Sequence, residues 1–275
     1  MHIFLHVPKT AGTSFRFVLE NSFGISHCHT NHTRKALFTQ DDLGFAAVLF
    51  PRLQSIAGHN LVDPMRLSVP APFYMTMLRE PVARVISHYQ DSVIRGKNTK
   101  GFEQSVRENE KFQNLAVKLL AGALNLDRAK RMLEQYHFVG LTEKFELSLH
   151  LLERLSPRTL NLNYRKYVIP KDDRIKKELQ SDPAMLAVAR KYNQLDVELY
   201  EFAVGEIFPR LCNQAGLKAS DEINSYATYR NALKPRYLAC RYINQLFRQL
   251  CKLRCDGRAT SCALVSSLGA SFGLG

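Results

Sequence analysis

Between Lys9 and Ser14 the chain reads Lys-Thr-Ala-Gly-Thr-Ser, which places a mobile cation, three hydroxyls and a glycine in one short stretch. Those residue types suit an anion. Backbone N–H groups at a helix start, and the helix dipole behind them, attract negative charge. Gly12 lets the main chain come close, Thr10, Thr13 and Ser14 offer hydroxyl donors, and Lys9 adds charge. The order differs from the ATP-binding loop G-x-x-x-x-G-K-[ST], where lysine closes the loop and a hydroxyl after it holds magnesium. Here the lysine comes first. A second group lies in Arg79-Glu80-Pro81-Val82-Ala83-Arg84-Val85-Ile86-Ser87. Arg79 at the carboxyl end of a strand would sit where open α/β sheets collect ligands. With Ser87 on the following helix, it could clamp a second, separate phosphate. The bland alternative for Arg79 alone is a surface ion pair with Glu80.

The hydrophobic pattern predicts the elements that must position these groups. His2–Val7 is an apolar, strand-like run closed by Pro8. Phe15, Val18, Leu19 and Phe23 recur at helical spacing, and Gly24 ends that helix. Phe73–Leu78 lacks polar alternation and reads as a strand buried on both faces. Pro81 suits the first helical turn that follows, with Val82, Val85, Ile86 and Tyr89 as its apolar face. Two strand–loop–helix units predict an α/β fold with a central parallel sheet flanked by helices.

Ser55–Asp63 reads as a short strand feeding a turn, and Ala46–Leu49 as either a strand or a helix end. Phe138–Leu141 reads as a further strand, with Thr142 as N-cap of a helix running through Leu155. Residues 25–44 read as loop, 91–136 as helical, and one long helix is expected from Pro183 to about Arg210. The expected organisation is a domain over 1–212, a linker over 213–229 and a basic amphipathic helix over 230–255. The apolar side of that helix is read as Leu238, Tyr242, Ile243, Leu246, Phe247, Leu250 and Leu253. Residues 256–275 are rich in Gly, Ser and Ala and are expected to be a disordered tail.

Composition bounds the partners without choosing one. The 275 residues are 45% hydrophobic and 23% charged, enough apolar material for a large core. Formal net charge is +13, which favours anionic partners: nucleotides, acidic glycans or lipid headgroups. Much of the excess lies late, where residues 230–275 carry eight basic side chains against the single acid Asp256. The six cysteines, at 28, 212, 240, 251, 255 and 262, form no C-x-x-C pair, and those of the body read as free thiols. The N-terminal apolar run is too short for a signal peptide and no run approaches the ~20 residues of a membrane span. A cytoplasmic location is therefore expected, with membrane association through the basic helix as an addition.

Pro8-Lys9-Thr10-Ala11-Gly12-Thr13-Ser14-Phe15, followed by Leu78-Arg79-Glu80-Pro81-Val82-Ala83-Arg84-Val85-Ile86-Ser87-His88-Tyr89, resembles the two donor-binding segments of the PAPS-dependent sulfotransferases. The nearest branch is the one that includes heparan sulfate 2-O-sulfotransferase and bacterial relatives. Phe138–Phe145 is similar to a third segment of that branch. The resemblance covers roughly residues 3–210. It implies a P-loop-NTPase-like sulfotransferase fold with a helical C-terminal extension, and transfer of a sulfuryl group from PAPS to a hydroxyl acceptor by in-line displacement, with PAP as product and no metal. Lys9 to Ser14 would hold the 5′-phosphosulfate, Lys9 acting also in catalysis. Arg79 and Ser87 would hold the 3′-phosphate. Tyr164 and Arg165 fall in a stretch similar to a loop that closes over the nucleotide. The branch places a catalytic histidine between the first two segments in a Gly-His context, which Gly58-His59 matches. A neutral imidazole with a pKa near ~6.5 can accept a hydroxyl proton. Asp41, Asp42 and Asp63 are the fallback bases.

The expected acceptor is an acidic or neutral glycan or another hydroxyl compound, with no nucleic acid. Two other classes stay open: a P-loop-type small-molecule kinase, and a non-enzymatic binder of polyanions or membrane surfaces. His27, Cys28, His29 and His32 match no standard metal spacing and read as a polar acceptor-side loop. His6 reads as packed core and His88 as a helix-face residue.

Overall fold

The computed structural model describes residues 1–164, 173–223 and 235–255. Five strands, β1 (His2–Leu5), β2 (His27–His29), β3 (Ser55–Gly58), β4 (Phe73–Leu78) and β5 (Phe138–Leu141), form one sheet in the order β2-β3-β1-β4-β5. All pairings are parallel. β1 is central, its Leu5 registered against Gly58 on one side and Thr76 on the other, so the ends of β1, β3 and β4 open onto one edge. The β4 side chains are all buried, as the unbroken apolar run predicts.

The helices are α1 (Gly12–Phe23), α2 (Gln40–Leu49), α3 (Pro81–Ile94), α4 (Phe102–Glu108), α5 (Leu115–Ala121), α6 (Leu126–Gln135), α7 (Phe145–Leu155), α8 (Arg174–Ser181), α9 (Pro183–Lys191), α10 (Gln194–Phe202), α11 (Phe208–Gln214) and α12 (Pro235–Cys255). Phe15, Val18 and Leu19 of α1 are fully buried. α3 starts at Pro81, with Glu80 as N-cap accepting from the Val82 and Ala83 N–H groups at 3.0 and 2.6 Å. Glu80 is thereby used on its own helix rather than on Arg79.

Several elements differ from the sequence expectation. Residues 25–44 hold the three-residue strand β2 and the start of α2, the latter closed by a Thr39–Asp42 capping box. Thr142 does not cap α7; its hydroxyl donates to the Leu78 carbonyl at 2.9 Å, and α7 begins at Phe145 after a 3₁₀ turn. The long helix from Pro183 is broken at Asn193. Its side-chain Nδ2 donates back to the Ala189 carbonyl at 2.9 Å, competing with the helical ladder. A π-helical turn at Ala203–Ile207 then separates α10 from α11.

α12 docks on the domain. Its buried residues are Tyr237, Cys240, Asn244, Phe247, Leu250 and Cys251, a stripe offset from the expected one. Phe247 packs between Phe45 and Phe50 of the α2 region, and Tyr237 against Phe17 of α1. Leu238 and Tyr242, expected on the apolar side, are 49% and 70% exposed. Residues 224–234 and the 256–275 tail lie outside the described residues. No helix among the described residues is long and apolar enough to cross a membrane. Cys28, Cys212, Cys240 and Cys251 are buried.

Candidate active site

The turn from β1 into α1 is built under strain. Lys9 and Ala11 have φ of 71° and 57°, left-handed values for residues with side chains. Two contacts hold the turn: Thr10 Oγ1 donates to the Val7 carbonyl at 2.8 Å, and Arg79 Nη1 donates to the Lys9 carbonyl at 3.2 Å. The Ser14 and Phe15 N–H groups return to the Ala11 carbonyl, which leaves the Gly12 and Thr13 amides at the open end of the helix. Gly12 is required by close approach, since a Cβ there would lie 1.9 Å from the His6 ring.

In front of this turn is a cavity of about 680 Å³, within the ~300–1,000 Å³ of small-molecule sites. Lys9, Ala11, Gly12, Thr13 and Ser14 line one wall, and Arg79 and Ser87 another. His59 lines it from the end of β3. The groups singled out in two separate strings thus open onto one space. Thr10 is the exception within the first string: it is fully buried and its hydroxyl is spent on the turn. Tyr164 is also buried, its ring 4.9 Å from Phe145 and its hydroxyl on Glu146. Arg165 lies outside the described residues.

His59 is held at three points. Its N–H donates to Asn31 Oδ1 at 2.8 Å, and its Nδ1 is 2.5 Å from the His6 carbonyl. A carbonyl can only accept, so Nδ1 carries the proton and Nε2 keeps a lone pair. The His6 ring packs against it at a tilt of 37°, with centroids 4.1 Å apart. Burial, the largest influence, lowers the His59 pKa below 6.5, with Arg16 adding to the effect against the His6 hydrogen bond. His59 is therefore mostly neutral at pH 7. Gly58 before it is a second required glycine, because a Cβ would meet Thr30 Oγ1 at 2.0 Å.

His6 proves to be cavity wall as well as core, and His88 also lines the cavity rather than only a helix face. Both are kept neutral, burial being the main cause; the His88 pKa falls to about 4. The fallback carboxylates are placed elsewhere. Asp42 caps α2 and binds Lys35 at 2.7 Å, Asp63 pairs with Arg128, and Asp41 is exposed. His27 and His29 form an edge strand, not a polar loop. Among the described residues no group of three or more His, Cys, Asp or Glu is placed to hold a metal.

Four charged lining residues escaped the sequence reading. Asp91 and Arg95 continue the Ser87 face of α3 at intervals of four, a signal helical periodicity could have supplied. Asp173 and Lys176 reach the cavity from the start of α8, for which no local signal exists. Lys9 Nζ rests 3.4 Å from Asp91 Oδ1, which also binds Arg95 at 2.9 Å. Burial raises the Asp91 pKa, but Lys9 and Arg95 outweigh it and the carboxylate stays ionised. The cavity thus holds four cations, Lys9, Arg79, Arg95 and Lys176, against Asp91 and Asp173.

A model of the sulfotransferase family matches residues 2–203. Heparan sulfate 2-O-sulfotransferase 1 of Homo sapiens is 24% identical over 246 residues, covering 74% of this chain and 69% of the relative. Its Xenopus laevis counterpart matches to the same extent, at 24% over 246 residues. The heparan sulfate 2-O-sulfotransferase of Caenorhabditis elegans is 26% identical over 98 residues, 32% of this chain and 30% of that protein. Since the family model takes in β1 to α10, and with it all the residues that line the cavity, the chain belongs to the sulfotransferase family, on the branch of the heparan sulfate 2-O-sulfotransferases.

Proposed function

We propose that this chain transfers the sulfuryl group of PAPS to a hydroxyl of a carbohydrate, with His59 as base. The observation that carries the reading is that Lys9, Arg79, Ser87 and His59 line one cavity. The donor fits the residues present. The Gly12 and Thr13 amides, the Ser14 position and Lys9 offer one anion site, and Arg79 with Ser87 offers another. The Pro8–Ser14 turn would act as a P-loop-like phosphate cradle with its lysine at the strand end.

PAPS, when bound, supplies an activated sulfuryl group whose leaving oxygen gains charge as the bond breaks. Lys9 would leave Asp91 to neutralise that charge, together with the α1 N-terminus. Burial lowers the Lys9 pKa, with Asp91 opposing the shift, so Lys9 is less costly to desolvate than a free lysine. His59 Nε2 would take the acceptor proton while the His6 carbonyl stabilises the imidazolium through Nδ1–H. Arg79 would both bind the 3′-phosphate and brace the Lys9 carbonyl. Because the His59 pKa lies below 6.5, kcat/KM should fall as pH drops below that value and stay flat through neutrality.

The relatives' name points to heparan sulfate as the first acceptor to try. Incubation with ³⁵S-labelled PAPS and heparan sulfate should label the polysaccharide in wild type and not in His59→Ala. Labelling of neither heparan sulfate nor any other glycan in a panel would refute the carbohydrate assignment.

A further inference from the structure

We infer that Asn244, on helix α12 beyond the segment matched by the family model, is a positioning residue that fixes the orientation of His59. The inference rests on the proposed role of His59 as base.

β2 is the edge of the sheet, paired with β3 on one side only. An open parallel edge leaves main-chain groups unpaired, and in a buried place such groups are costly. Asn244 supplies what is missing. Its Oδ1 accepts from the His29 N–H at 2.7 Å, and its Nδ2 donates to the His27 carbonyl at 2.8 Å. These are the two groups that flank Cys28 and that a residue of a sixth parallel strand would bind. One side-chain amide therefore stands in for a strand. Asn244 is 2% exposed, so bulk water has no free access to replace it. Its orientation is anchored by a further bond from Nδ2 to the Cys240 carbonyl at 2.9 Å.

What Asn244 holds leads directly to His59. β2 runs without a spacer into the Thr30–Thr33 turn. Thr30 Oγ1 bonds Asn60 Oδ1 at 2.5 Å, and Asn60 Nδ2 donates to the Thr30 carbonyl at 3.1 Å. Asn31, next in the turn, accepts the His59 N–H. The turn therefore grips His59 at its own amide and at the residue after it. Freed at its outer edge, β2 would let the turn move, and the fit between His59 Nδ1 and the His6 carbonyl would be lost. His6, just after β1, and Arg16 of α1 are the titratable and charged groups that act on His59. Neither belongs to α12, and the hydrogen bonds of Asn244 outside its own helix go to β2, so its effect on His59 is routed through β2 and the turn.

The test is ring-nitrogen NMR of histidine-labelled full-length protein, with the His59 signal assigned by its absence in His59→Ala. Wild type should show His59 in the single Nδ1–H tautomer. In Asn244→Ala the two His59 nitrogen resonances should move toward one another as the tautomers mix, while PAP affinity stays within about twofold, a change too small to signal a lost contact. Should the alanine variant fail to fold, Asn244→Asp carries the test: it keeps an acceptor for His29 but repels the His27 carbonyl, and should show the same loss of a single tautomer. An unchanged Nδ1–H tautomer in a folded variant, or a PAP affinity that falls in step with the tautomer change, overturns the inference. Failure of the base reading would look different. His59→Ala would then turn over normally, whatever the Asn244 variants do to the tautomer.

Discussion

The two halves of the cavity are built on opposite electrostatic plans. On the donor side, the β1–α1 turn and α3 present charges: Lys9, Arg79 and Arg95, with Asp91 among them. On the base side, His6 and His59 line the cavity while His27 and His29 of β2 lie outside its lining, and burial keeps all four below their usual pKa. The donor half can rearrange, since its cations hold partners that an incoming anion would replace. The base half cannot easily do so, because His59 is held through its own N–H and by the His6 carbonyl, and the His27 and His29 rings bond the Ser55 and Glu20 side chains. One side is made to be neutralised by its ligand, the other to stay neutral until a proton arrives.

Substitutions should divide along the same line. His59→Ala should reduce kcat by about 10²–10⁴-fold, with PAP affinity intact by calorimetry; a parallel loss of PAP binding would dissolve the distinction between the halves. Lys9→Ala should cost on the order of 10²–10³ in kcat while some PAP binding survives, measured with labelled PAPS at saturation. Arg79→Ala should act chiefly on donor KM, by roughly 10- to 150-fold for one lost charge-assisted contact. A pure kcat effect there would place Arg79 outside the donor site.

The base half should also reveal itself through acid lability. His6, His27 and His29 lie well below 6.5, burial being the first cause in each. Above pH 6.5 neither the folded nor the unfolded chain protonates them, so they contribute no slope. Below it the unfolded chain binds protons that the folded state refuses, and stability falls by up to about 1.4 kcal/mol per pH unit for each imidazole. Thermal melts between pH 8 and 5 (~3 units, spanning the imidazole range) should be flat at first and then decline below 6.5. A melting temperature that rises on acidification would contradict neutral burial. The smallest effect is expected from Asp91→Asn. Freeing Lys9 and removing a carboxylate should tighten PAP by about 1.5- to 5-fold, the range of a half-exposed ion pair.

The same division governs how much could be read from the sequence. The donor half is written in contiguous strings, so Lys9–Ser14 and Arg79–Ser87 announce it, and the strands before them follow from apolar runs. What local reading misses there is side-chain direction: Thr10 turns inward, and the Ser87 face continues to Asp91 and Arg95. The base half is written in long-range contacts. Asn31 to His59, His59 to His6 and Asn244 to His29 join residues 28, 53 and 215 positions apart. Strand β2 was invisible because three polar-flanked residues carry no periodicity; it exists because β3 and Asn244 satisfy its two edges. α12 was legible as a helix, yet its buried stripe centres on a polar residue that hydrophobicity alone assigns to solvent.

The central claim is that both strand–helix junctions grip one nucleotide, with Arg79 and Ser87 taking a phosphate that ADP lacks. Thermal stabilisation by PAP against ADP, in wild type and in Arg79→Ala, addresses it most directly. PAP should stabilise wild type well beyond ADP, and the difference should collapse in the variant. Equal stabilisation of wild type by the two nucleotides would contradict the claim.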